Sequence, residues 1–131
     1  MAYIKPPVFV RKVFNPLAMR FGIGGSTALV VKRRSSGTAQ EIPVLPVSHD
    51  GVKYVVSARG ESDWVRNVRS AGRLELRRGG TSETYNAVEI PVSESAEVIA
   101  AYRAKAGRAV AGFWKRLPDP ADHPTFRLDS D

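Results

Sequence analysis

Three cations, two hydroxyls and a glycine stand in one run, Lys32-Arg33-Arg34-Ser35-Ser36-Gly37. Guanidinium and ammonium groups beside hydroxyls bind phosphate, and a glycine lets neighbouring backbone amides turn toward the same ligand. The run reads equally as a phosphate cradle or as a solvated hairpin tip. A second cationic group is Arg59, Arg66, Arg69 and Arg73, the last three recurring at helical spacing opposite an apolar face of Trp64, Val65, Val68 and Ala71. An anion near the start of that helix would meet side-chain charge and free amides together. Trp64 taken alone reads first as a core anchor and second as a wall or stacking surface of a site.

The rest of the inventory is poor in chemistry. The chain has no cysteine, which removes thiol catalysis, disulfides and zinc-thiolate sites. Its two histidines are His49, in a turn beside Asp50, and His123, in a loop before Pro124; neither sits in a context that suggests a Ser-His-Asp arrangement, and no metal is expected. The run from Lys32 to Gly37 is not a Walker loop, and Gly22, Gly24 and Gly25 make no dinucleotide fingerprint. An enzyme built from these residues would leave the hard chemistry to a bound cofactor and supply orientation and charge.

Charge points the same way. The 131 residues carry a formal net charge of +7, which favours an anionic partner. Residues 1–25 hold Lys5, Arg11, Lys12 and Arg20 with no acid, whereas residues 119–131 hold four Asp against one Arg, so the positive charge lies in the first two thirds. Aromatic residues are not interleaved with these cations as a nucleic-acid stacking surface needs, so no nucleic acid is expected. No apolar run approaches the ~20 residues of a membrane span and no secretory apolar core is evident, which suggests a cytoplasmic protein.

These side chains need elements to position them. Val10, Val13, Phe14, Leu17 and Phe21 follow helical spacing, interrupted at Pro16; this basic amphipathic segment packs on its own domain or touches a membrane surface peripherally. Strands are predicted over Thr27–Lys32, Ile42–Val47 and Val52–Ala58, separated by turns at Ser35-Ser36-Gly37 and His49-Asp50-Gly51. A helix follows from Ser62 or Asp63 to about Ala71, stopped by Gly72. A hairpin then runs from Arg73 to Arg78 and from Thr81 to Ile90, and a helix from Ser93 to about Gly107. One more helical turn holds Phe113 and Trp114, and a last strand covers Thr125–Leu128. About six strands in hairpin order with a few helices make one antiparallel α+β or barrel-like domain over residues 1–131.

The order of these pieces is specific. Arg34-Ser35-Ser36-Gly37, Pro43, the Asp50-Gly51 hairpin, the stretch from Ser57 through Trp64 and Asn67 to Arg69, and a closing His123-Pro124-Thr125-Phe126-Arg127-Leu128 together resemble the deazaflavin-dependent nitroreductase family. That family is the A branch of the flavin/deazaflavin oxidoreductases, and the resemblance covers roughly residues 8–128. It implies a split β-barrel and coenzyme F-420, an 8-hydroxy-5-deazaflavin, whose hydride passes to a small-molecule electron acceptor: a quinone, a nitroaromatic or an activated C=C bond. By position, Arg34 and Ser35 would meet the coenzyme phosphate, with Lys32, Arg33, Arg66 and Arg69 along its anionic tail. Pro43, Val44, Val56, Ala58, Arg59 and Gly60 would border the ring, Trp64 and Asn67 would close the site, and Tyr102, Phe113 and Trp114 would face the acceptor. The family turn usually reads Gly-Arg-Lys/Arg-Ser/Thr-Gly with an Arg three residues on; here Arg33, Ser35 and Gln40 replace its first Gly, its Lys and that Arg. The alternative is a non-catalytic relative, or one whose groove holds FMN, haem or a fatty acid. Either a monomer or a homodimer suits these expectations.

Overall fold

The computed structural model describes residues 27–131, so the amphipathic segment from Val10 to Phe21 lies outside the described residues. Among the described residues, seven strands form one sheet: β1 (Thr27–Lys32), β2 (Ala39–Val44), β3 (Val47–His49), β4 (Val52–Val56), β5 (Arg73–Arg78), β6 (Thr81–Glu89) and β7 (Thr125–Ser130). Three α-helices accompany them among the same residues: α1 (Asp63–Ala71), α2 (Ala96–Ala106) and α3 (Arg108–Arg116). The sheet is antiparallel throughout, in the order β2-β1-β5-β6-β7-β4-β3.

The strand expected from Ile42 to Val47 is two strands, because Leu45-Pro46 interrupts it. Pro46 has no N–H for a ladder, and at this point the chain leaves β1 as a partner and restarts against β4. The two edge strands, β2 and β3, are therefore consecutive in sequence. Three Cα steps reach at most about 11 Å, so the sheet must curl until its edges nearly meet, which makes a split barrel. Asp50 and Gly51 both take positive φ, 52° and 77°, as the tight turn between β3 and β4 requires.

Alternation along the strands separates two cores. Leu29 and Val31, Leu74 and Leu76, Val55, Tyr85, Phe126 and Leu128 fill the barrel, closed by Val65 and Val68 of α1. Val47 and Val56 point outward and pack with Val98, Ile99 and Tyr102 of α2 and Val110 and Trp114 of α3. β4 thus serves both cores, Val55 within and Val56 without. Gly72 ends α1 in the left-handed region, its N–H bonded to Val68 O at 2.7 Å, as its place in the sequence predicts. The expected helix from Ser93 begins later, at Ala96, after a separate 3-10 turn over Val92–Glu94. The single turn expected around Phe113 is the nine-residue α3, broken from α2 by Gly107 at φ 61° and ψ −134°.

Candidate functional site

Among the described residues, β3 pairs with β4 only as far as Tyr54, and β2 pairs only with β1. Beyond the Leu45-Pro46 link, the outer edges of β2 and of Val55–Val56 pair with no strand among the described residues, and this split in the barrel is the candidate cleft. Register fixes its ends. Thr27 pairs with Val44 and Lys32 with Ala39, so Pro43 and Val44 lie at the foot of the cleft and the turn from Arg33 to Thr38 at its head. β4 runs toward the same head, where Val56 pairs with Thr125, and the loop from Ser57 to Ser62 then leads into α1.

The turn at the head is held by its own arginines. Arg33 Nη1 donates to Thr38 Oγ1 at 3.0 Å and to Ala39 O at 2.5 Å, while Gly37, at φ 77°, donates its N–H to Arg33 O. Arg34 is tied to α1: its backbone N–H and its Nη1 both donate to Asn67 Oδ1, at 3.1 and 2.7 Å, and Nη2 lies 3.7 Å from Asp63 Oδ1. Asn67 is buried and in turn donates from Nδ2 to Gln40 Oε1 at 2.7 Å. Lys32, Ser35 and Arg66 are exposed, and the Lys32 stem lies over the turn.

Along the cleft, Pro43 and Val44 are half-buried, the proline sitting on an edge strand where a missing N–H is tolerated. The Val56 side chain belongs to the outer core, leaving backbone alone to the cleft. Ala58 packs on the same core, and the Arg59 guanidinium lies 4.5 Å from the centre of the Phe113 ring. Gly60 is buried at φ 90°, and its carbonyl accepts from Ser57 Oγ and from Ser62 N–H. Trp64 is half-buried on the barrel core, its ring 6.0 Å from that of Phe126.

Other expected residues do not join this group. Tyr102 and Trp114 are buried in the outer core at 7% and 6% exposure, and burial pushes the Tyr102 phenol up to about 12. Of the aromatic residues expected to face an acceptor, Phe113 alone keeps part of its surface exposed, beneath Arg59. Arg69 is taken by acids: it forms a bidentate pair with Glu89 at 2.7 and 2.8 Å and lies 2.9 Å from Glu61, and Glu89 above all raises its pKa. Arg73 pairs with Asp131, so the cationic helix face of the sequence reduces to Arg66.

Two positions take roles here that their spacing does not signal. Gln40, a departure from the family pattern, is bonded to Asn67 through the docking of the turn on α1. His123 is 1% exposed and stacks on Trp114 at 3.8 Å and 8°, with Nδ1 2.9 Å from Ser57 O and Nε2 2.6 Å from Leu117 O. It pins the loop that borders the cleft and offers no accessible nitrogen. No group of three or more metal-ligating side chains is gathered among the described residues, and none of the described helices is long and apolar enough to cross a membrane.

The curled antiparallel sheet with its split edge defines a split-barrel protein. Residues 8–116 match the family model described as F420H(2)-dependent quinone reductase, and the chain belongs to that family. It is thus an oxidoreductase that uses coenzyme F-420. No curated protein matches the chain. Among solved structures, an F420-H2 dependent reductase, FDR-A, aligns at 18% identity and a TM-score of 0.59, over 79% of this chain and 93% of that one. A protein of unknown function from Agrobacterium tumefaciens, Atu2129, aligns at 20% identity and a TM-score of 0.64, over 97% of this chain and 58% of that one. HutZ, the heme storage protein of Vibrio cholerae, aligns at 13% identity and a TM-score of 0.56, over 88% and 89% of the two chains. At these identities the three support the fold.

Proposed function

We propose that the split between β2 and β4 is the coenzyme cleft and that a quinone is the acceptor of the hydride. One observation supports this reading: the curl of the sheet leaves the outer edge of β2, which carries Pro43 and follows the basic turn, unpaired beside the end of β4 that leads into the loop from Ser57 to Gly60, although these come from separate stretches of the chain. Reduced deazaflavin supplies the hydride when bound. The chain's own work is to hold it: Lys32, Arg33 and Arg34 face its phosphate and acidic tail, and the backbone of Val56, Ala58 and Gly60 borders its ring. Trp64 walls the cleft, and Arg59, placed over Phe113, offers positive charge where the acceptor gains electrons. A proton then comes from solvent, since the neighbouring His123 is buried with both nitrogens at carbonyl oxygens. Nitroaromatics and activated C=C bonds are further acceptors that this arrangement admits. The family's description favours the quinone.

Titration of the full chain with oxidised coenzyme F-420, FMN and haem, followed by absorbance and fluorescence, tests the cleft. The deazaflavin is expected to bind more tightly than FMN, because the basic head suits its longer anionic tail. Its affinity should fall as salt rises from about 0.05 to 0.5 M, as exposed charges are screened. Equal or tighter binding of FMN or haem at physiological salt would contradict the assignment.

A further inference from the structure

We infer that Asn67 is a positioning residue: it acts on the coenzyme through Arg34, whose guanidinium it holds at the head of the cleft, and does not itself touch the ligand. The inference rests on the reading that Arg34 meets the coenzyme phosphate. Asn67 is 3% exposed, and three of its four hydrogen-bonding positions are used inside the protein. Oδ1 accepts from both the backbone N–H and the Nη1 of Arg34, so one amide oxygen fixes both the path of the turn and the course of the side chain. Nη1 also lies 3.4 Å from Asp63 O, and the Asp63 carboxylate, 73% exposed, lies 3.7 Å from Nη2. A guanidinium has five N–H donors in a rigid plane; with Nη1 held and Nη2 beside Asp63, Nε is left for an anion, and Nη2 can turn to it from an exposed carboxylate that water already screens. Left to itself, a long surface side chain samples many rotamers, and freezing them on binding weakens affinity.

Arg34 sets the orientation of this amide, and Gln40 completes it. Arg34 can only donate, so the Asn67 atom that faces it is the oxygen, and the nitrogen then faces Gln40, whose Oε1 accepts. An arginine at position 40 has no acceptor to offer Nδ2, and it would compete with Arg34 for the Asn67 oxygen. The neutral residue that replaces the family's usual cation is therefore part of the device that aims the remaining one.

A double-mutant cycle on the full chain, read as the Kd for oxidised coenzyme F-420, tests this. Arg34→Gln is expected to raise Kd at least about tenfold, the scale of a lost charge-assisted hydrogen bond. Asn67→Ala should raise it about three- to tenfold, yet less than about twofold when Arg34→Gln is already present, since coupled residues are not additive. Both single variants should flatten the salt dependence of Kd alike, which a merely structural asparagine would not do. Should Asn67→Ala fold poorly, Gln40→Met, a change at a half-buried strand position, carries the same cycle with a smaller effect that again vanishes without Arg34. Equal effects of Asn67→Ala with and without Arg34 would overturn the inference while leaving the phosphate assignment intact. An unchanged Kd in Arg34→Gln would overturn that assignment and the inference with it.

Discussion

Truncating Phe126 to alanine should lower the stability of the fold by about 3–5 kcal/mol, the usual cost of removing a fully buried aromatic ring. Phe126 is 1% exposed and lies on β7 opposite Val55 of β4 and Glu89 of β6, in the barrel interior. Its ring also supports Trp64 of α1 from 6.0 Å, so the loss falls on the contact between helix and barrel as well as on the sheet. Urea unfolding followed by far-UV circular dichroism measures it; the midpoint should drop with the slope unchanged. A loss below about 1 kcal/mol would mean that the interior collapses around the missing ring, against the close packing described above.

Trp64→Ala should separate stability from binding. The indole is only half-buried, so the stability loss should be smaller than for Phe126, about 1.5–3 kcal/mol, in proportion to the apolar area it covers. At a temperature where the variant is fully folded, the Kd for oxidised coenzyme F-420 should still rise by about tenfold, as expected for losing one aromatic wall worth about 1.4 kcal/mol. A folded variant that binds the coenzyme like the parent would make Trp64 a core residue alone.

Much of the fold was legible because its signals are local. The Asp50-Gly51 turn, the glycine stop at Gly72 and the hairpin from Arg73 to Glu89 each follow from residues that demand one backbone geometry. What spacing could not give was the exchange of partners at Leu45-Pro46, which divides one expected strand into β2 and β3 and creates the cleft. That outcome depends on which distant strand pairs with Val47, a tertiary matter.

For the site, charge count and charge availability diverged. Helical periodicity placed Arg66, Arg69 and Arg73 together, but Glu61, Glu89 and Asp131 reach two of them from other elements. Aromatic residues near the end of the chain invited an acceptor-facing role, yet the outer face of β3 and β4 is apolar and must be covered, and Tyr102 and Trp114 cover it. The residues that the family pattern singled out near the head, Arg34 and Asn67, do meet, through hydrogen bonds that the sequence does not show.

If this cleft holds reduced coenzyme F-420 so that its hydride passes to a quinone, pre-reduced coenzyme mixed with menadione, with and without the full chain, shows it by the return of the oxidised coenzyme's visible absorbance. Reoxidation should be faster with protein, saturating in both coenzyme and quinone, because holding donor and acceptor together replaces a bimolecular encounter. Tight binding of the reduced coenzyme with no acceleration above the protein-free rate would show that the cleft does not pass hydride to a quinone.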